Sequence, residues 1–247
     1  ANRKLAEQLA EIGVILLMFG VGLHFHLNDL LAVRRIAVPG AITQSVVATA
    51  LGAAAGWSVG LSFGAGIIFG LAISVASTVV LTRVLADNND MHTPVGHIAV
   101  GWLVVEDLFT VLVLVLLPAI FGEGAAGFGQ LVLAIGIAFI KIGALVGLTF
   151  VVGDRLIPLA LGWVASTRSR ELFTLTVLVM ALGIAVGSAK LFGVSMALGA
   201  FLAGMVVGRS EFSLRAASEA LPMRAAFAVL FFVSVGMLFN PAALLAA

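Results

Sequence analysis

GWLVVEDLFTVLVLVLLPAI, residues 101–120, carries two adjacent acids, Glu106 and Asp107, in an otherwise uncharged apolar stretch. Its length matches the ~20 residues a helix needs to cross the hydrocarbon core of a bilayer. The rest of the chain reads the same way. Of 247 residues, 62% are apolar and 10% charged, against roughly 45–50% and 25% in an average soluble domain. So few charges cannot cover the surface of a soluble globule, which makes lipid the natural solvent for most of the chain. The net charge is +1, with basic residues single or in pairs, which argues against nucleic acid as a partner. There is no cysteine, so disulfides, thiolate metal sites and thiol nucleophiles are excluded.

Eight apolar stretches are near spanning length: a 9–27, b 36–57, c 61–85, d 96–120, e 126–152, f 171–190, g 193–209 and h 222–239. The sequence therefore predicts an all-α polytopic membrane protein of about eight transmembrane helices, a single transmembrane domain over 1–247 with only short turns between spans. Small residues recur at fourfold spacing in Ala200, Gly204 and Gly208, and again in Gly60/Gly64 and Gly66/Gly70. Such spacing lets helix backbones approach closely. Nine arginines fall in the a/b, c/d, e/f and g/h turns: Arg34, Arg35, Arg83, Arg155, Arg168, Arg170, Arg209, Arg215 and Arg224. The opposite side holds Arg3, Lys4 and Lys190, so the first set is expected to be cytoplasmic. The opening ANRKLAEQLAEIG has no initiator Met and no leader pattern, and the chain is expected to be a fragment.

An internal repeat gives the organisation. Aligning ILLMFGVGLHFHLNDLL (15–31) with VLFFVSVGMLFNPAALL (229–245) matches Leu16/Leu230, Val21/Val235, Gly22/Gly236, Phe25/Phe239, Leu30/Leu244 and Leu31/Leu245. On the charge count span a runs inward and span h outward, so the repeat is inverted. Inverted repeats with a site at the midplane are a mark of secondary transporters.

Ionisable groups deep in a span are costly and read as functional. Glu106 and Asp107 lie about ten residues into d. Two neighbouring carboxylates in low dielectric cannot both ionise cheaply, so the pair is suited to holding either protons or a small cation. They point about 100° apart on a helix, which predicts separate roles. Span c reads GLAISVASTVVLTRVL, with Ser74, Ser77, Thr78 and Thr82 beside small residues. Hydroxyls and freed carbonyls at an interrupted helix near 74–78 would supply neutral oxygen ligands to a dehydrated cation. Lys141, near the middle of e, is a possible charge partner of the acids. His24, His26, His92 and His97 fall at span ends and turns. Enzyme chemistry finds no support: no dinucleotide-binding fingerprint, P-loop, HExxH or GxSxG is present, and no cofactor is called for. The glycine-rich GEGAAGFG at 122–129 has no Lys and reads as a flexible turn.

At LLMFGVGLHF, ASTVV, WLVVEDL, SRELFTL, ALGAFLAGM and LFFVSVGMLF the chain resembles the monovalent cation:proton antiporter-2 family, above all its Kef- and YbaL-like members. That resemblance implies a sodium/proton-antiporter-like fold with two inverted repeats of five helices. Spans a to d would be helices two to five of the first repeat, and g and h the first two of the second. The first helix and the last three would lie outside this chain, as would any cytoplasmic nucleotide-binding regulatory domain. By the same resemblance Asp107 matches the aspartate that binds the transported cation or proton, the only metal ligand expected. Glu106 precedes it, where Kef-type members usually place Gln. Ser77 and Thr78 match the unwound crossing helix. The implied function is exchange of K+ or Na+ for protons across a bacterial inner membrane, by a multi-pass homodimer in the lipid bilayer. A core containing c and d would rock against a scaffold containing a, b, g and h. A gated potassium efflux channel without obligatory proton coupling is the alternative.

Overall fold

A computed structural model describes residues 3–121 and 128–238. Ten α-helices account for nearly all of them: α1 (Arg3–Gly22), α2 (Leu27–Ser58), α3 (Phe63–Ser74), α4 (Thr78–Asp87), α5 (Pro94–Phe121), α6 (Phe128–Gly147), α7 (Gly153–Ser166), α8 (Arg170–Phe192), α9 (Met196–Gly208) and α10 (Ser213–Leu238). A π-helical turn, Leu148–Val152, joins α6 to α7. Most of the turn expected at 122–129 lies outside the described residues, as does the repeat segment from Phe239 onward.

Serine starts four of these helices. Ser62, Ser77, Ser169 and Ser195 each accept from the backbone N–H three residues on, at 3.0–3.3 Å, satisfying donors that have no partner within the helix. Gly193 ends α8 in the left-handed region at φ 77°, a conformation glycine adopts without penalty. Among the described residues, five helical stretches are long and apolar enough to cross a membrane: 27–58, 63–87, 94–114, 132–166 and 170–192. Shorter apolar helices run over 8–22 and 196–208. The chain is a multi-pass membrane protein.

The helices group into two compact units. One comprises residues 27–146. In it α2 and α3 form an antiparallel hairpin at very close range, Gly52 meeting Gly70 and Gly56 meeting Gly66. A Cβ on Gly70 would run into the Thr49 carbonyl, so this packing is open only to glycine. The α5 helix runs alongside α2 in the same direction, Val33 and Ala37 against Gly101 and Gly40 under the Trp102 ring. Span b was expected in a scaffold with a, g and h. Its helix α2 packs instead on α3 and α5, because its glycines fit the broken span c.

The other unit comprises residues 1–26 and 147–247. Its centre is α9, buried from Leu198 through Val207. Thirteen residues of helix reach only about 20 Å, and a helix apolar all round belongs in a core. Around it pack α1, α7, α8 and α10. Gly204 abuts the Phe19 carbonyl and Gly22 of α1, and Gly208 abuts the Leu23 carbonyl. The small-residue spacing in span g thus carries the close approach expected of it. Span e continues as helix well past 152. Asp154 and Arg155 lie in α7 rather than in a turn, and Asp154 pairs with Arg209 at 3.0 Å.

Candidate functional site

The site lies within the 27–146 unit, where span c breaks. Helical bonding stops at Ser74 and resumes at Thr78, leaving Val75, Ala76 and Ser77 extended. The sequence placed the interruption at 74–78. The break turns two helix ends toward each other inside an apolar region, the carbonyl end of α3 and the N–H end of α4. Partial charges at such ends amount to about half an elementary charge each, and backbone groups left unpaired in lipid are costly.

Side chains of α2 and α5, with the Ser77 cap, answer that demand. Glu106 of α5 is buried, 2% exposed, and its carboxylate accepts from the backbone N–H of Ala76 in the extended segment. Its other oxygen faces the Gln44 amide nitrogen at 3.5 Å. The same nitrogen donates to the Ser74 carbonyl at 3.2 Å, and the Gln44 oxygen accepts from the Trp102 indole at 2.9 Å. Ser74 donates back to Leu71, Thr82 to Thr78 and Val79, and Thr110 to the Glu106 carbonyl. All are local bonds that close hydroxyls onto their own helices.

The expected residues fall into place unequally. Glu106 reaches the break directly. Asp107 follows it on α5 and is half-buried. Ser77 is exposed and uses its hydroxyl as the α4 cap, while Thr78 opens α4 half-buried and takes the Thr82 hydroxyl on its carbonyl. Lys141 sits half-buried on α6, beside exposed Phe139 and Ile140, outside the network around the break. Two members of that network were missed, Gln44 and Trp102. A signal for Gln44 was available: an amide within an apolar stretch is costly in lipid for the same reason as a charge. Among the described residues no group of three or more His, Asp or Glu could hold a metal ion.

Comparison with known proteins adds a family. The model of the sodium/hydrogen exchanger transmembrane family matches residues 3–246. A protein of Escherichia coli K12, provisionally named cation/proton antiporter YbaL, is 56% identical over 244 residues, covering 98% of this chain and 44% of that protein. An uncharacterized protein from the phaC 3′ region of Methylorubrum extorquens is 56% identical over 220 residues, covering 85% of this chain and 80% of the relative. The chloroplastic K(+) efflux antiporter 2 of Arabidopsis thaliana is 33% identical over 246 residues, which are 97% of this chain and 21% of that protein. The chain thus spans less than half the length of the first and third of these.

Proposed function

The chain belongs to the sodium/hydrogen exchanger family, and from that premise we propose that it forms part of a transporter exchanging K+ or Na+ for protons across a bacterial inner membrane, with proton and cation competing at Asp107. The observation that carries this reading is the extended segment Val75–Ser77 inside an apolar span, held by the helix that bears the acid. A break of this kind frees carbonyl oxygens at the end of α3, and such oxygens beside a carboxylate can replace the water around a monovalent ion. Ser77 and Thr78 frame those oxygens, and Glu106 keeps the segment open by holding the Ala76 N–H. Exchange then requires only that binding of a proton to Asp107 excludes the cation, and that the occupied site is exposed to the two faces in turn. Names of relatives agree on cation/proton exchange and on potassium efflux, which supports a monovalent cargo. Homodimerisation, and a nucleotide-binding regulatory domain in the full-length protein, belong to the same proposal.

The test uses full-length protein in liposomes with a pH-sensitive dye inside and K+ or Na+ added outside. Cation-driven alkalinisation in the wild type, lost in Asp107→Asn, is the expected result and names the ion. Cation uptake without proton movement, or a mutant as active as the wild type, would overturn the proposal; the first outcome would turn it toward a channel.

A further inference from the structure

We propose that Gln44 is a positioning residue of the ion site, setting the geometry of the break and, through Glu106, the affinity of the neighbouring Asp107 for its cation. The inference rests on the exchange reading above and adds a residue on α2 to it. Gln44 touches both the backbone at the start of the break and the carboxylate that grips the backbone within it. Its amide nitrogen donates to the Ser74 carbonyl at 3.2 Å and lies 3.5 Å from Glu106 Oε2, whose carboxylate takes the Ala76 N–H. The amide cannot turn over. An indole N–H is a donor only, so Trp102 at 2.9 Å holds the Gln44 oxygen toward itself and sends the nitrogen to the break. The indole is itself seated, since its ring lies where a Cβ on residue 40 would be, and Gly40 has none.

Packing does not explain an amide at this place. Gln44 lies on an open groove of about 500 Å³ whose wall is otherwise Pro39, Gly40, Thr43, Val47 and Trp102, where a leucine would fit as well and cost less in lipid. All the polar capacity the structure shows for this side chain goes to the break and to the indole that orients it. A side chain bonded to the end of α3 and, through Glu106, to the middle of the segment helps fix where the carbonyls between them lie. Ion ligation is sensitive to displacements well under an ångström, and partners one shell out of a metal site commonly change affinity by 10–100-fold.

Exchange in liposomes tests this with Gln44→Leu, Gln44→Glu and the swap Gln44→Glu/Glu106→Gln, beside wild type and Asp107→Asn. Gln44→Leu is expected to raise the half-saturating K+ or Na+ concentration about tenfold and to leave the maximal rate within about twofold. Gln44→Glu sets two carboxylates against each other and is expected to do worse. The swap restores a donor to face a carboxylate, keeps an oxygen for Ala76 and retains an acceptor for Trp102, but takes the donor from the Ser74 carbonyl, so it is expected to recover only part of the affinity lost in Gln44→Glu. Melting temperatures in detergent separate folding from function, and the swap excludes a purely structural account because both sites are altered in it. Unchanged cation affinity in Gln44→Leu, or a swap no better than Gln44→Glu, overturns the inference and leaves the exchange reading intact. Exchange that survives in Asp107→Asn overturns the exchange reading instead.

Discussion

Glu106→Ala removes both acceptor oxygens from the break at once. The Ala76 N–H belongs to an extended residue in a chain otherwise helical on either side, so no i−4 carbonyl replaces the lost partner. Leaving a buried donor unpaired costs about 1–3 kcal/mol. The Gln44 amide keeps Ser74 and loses only its longer contact, which adds about 0.5 kcal/mol on the scale of polar contacts within membranes. About 3 kcal/mol of destabilisation is expected. Glu106→Gln keeps an oxygen for Ala76 and turns an amide nitrogen toward Gln44, which cannot rotate away without losing Trp102. The cost there is one mismatched contact, about 1 kcal/mol. Unfolding equilibria in mixed micelles give the two values, and hydrogen exchange at the Ala76 amide gives the local one: faster in the alanine variant, near wild type in the glutamine variant. If Glu106→Ala unfolds within about 0.5 kcal/mol of wild type, the ordinary spread of surface substitutions, or Ala76 is equally protected in both variants, the carboxylate does not hold the break.

Two further predictions concern the unit built around α9. Gly204→Ala places a methyl against the Phe19 carbonyl and Gly22, both backbone, so overpacking of about 1–3 kcal/mol outweighs the ~1 kcal/mol that alanine gains over glycine in a helix. Gly187→Ala in α8 meets nothing within 4 Å and is expected to stabilise; equal effects from the two substitutions in a melting experiment would refute the close-packing argument. Glu219, which precedes the apolar stretch of α10, accepts from Arg170 at 2.7 Å and Thr174 at 2.8 Å, and those bonds hold its carboxyl below the ordinary value of 4.5. A lowered native pKa contributes stability that is present above the unfolded value and lost as the pH falls through the native one. Melting temperature is therefore expected to drop on acidification below about pH 4.5, and Glu219→Gln to flatten that drop; identical acid profiles would refute the pairing.

The lengths of the apolar stretches and the charges between them made the helices legible, and small residues made their closest contacts legible. The interruption in span c was expected from hydroxyls beside small residues and from the family resemblance, and in the structure Ser77 caps the helix that follows it. Span e misled because charge was taken as a turn signal. Asp154 is paired with Arg209, and Arg209 also lies over the Phe150 ring at 5.7 Å, so the helix carries this paired acid on toward Ser166. Grouping b with a failed for a different reason. Which helix a glycine face meets depends on the partner's surface, and Gly52 and Gly56 alone do not reveal that Gly70 and Gly66 will meet them. Gln44 was passed over because only ionisable groups were weighed as costly in lipid.

The two adjacent acids are best understood by what each position demands. One helical step turns a side chain by about 100°, and at 106 that direction leads to a backbone N–H and an amide nitrogen, while Asp107 is left half-buried on another face. Two donors ask for oxygen acceptors at a fixed reach; they do not ask for negative charge. A glutamine at 106 has the same length and one such oxygen, which accounts for its use at the matching position in the Kef-type pattern and for the modest cost expected of Glu106→Gln. On the proposed reading the acid at 106 serves the break rather than the cargo. On the proposed reading, in which Asp107 exchanges one proton for one monovalent cation, each cycle moves no net charge, so exchange by the full-length protein is expected to run at the same rate when liposomes are set at different membrane potentials. A rate that follows the imposed potential would return Glu106 to the ion-carrying site and undo its assignment to the break.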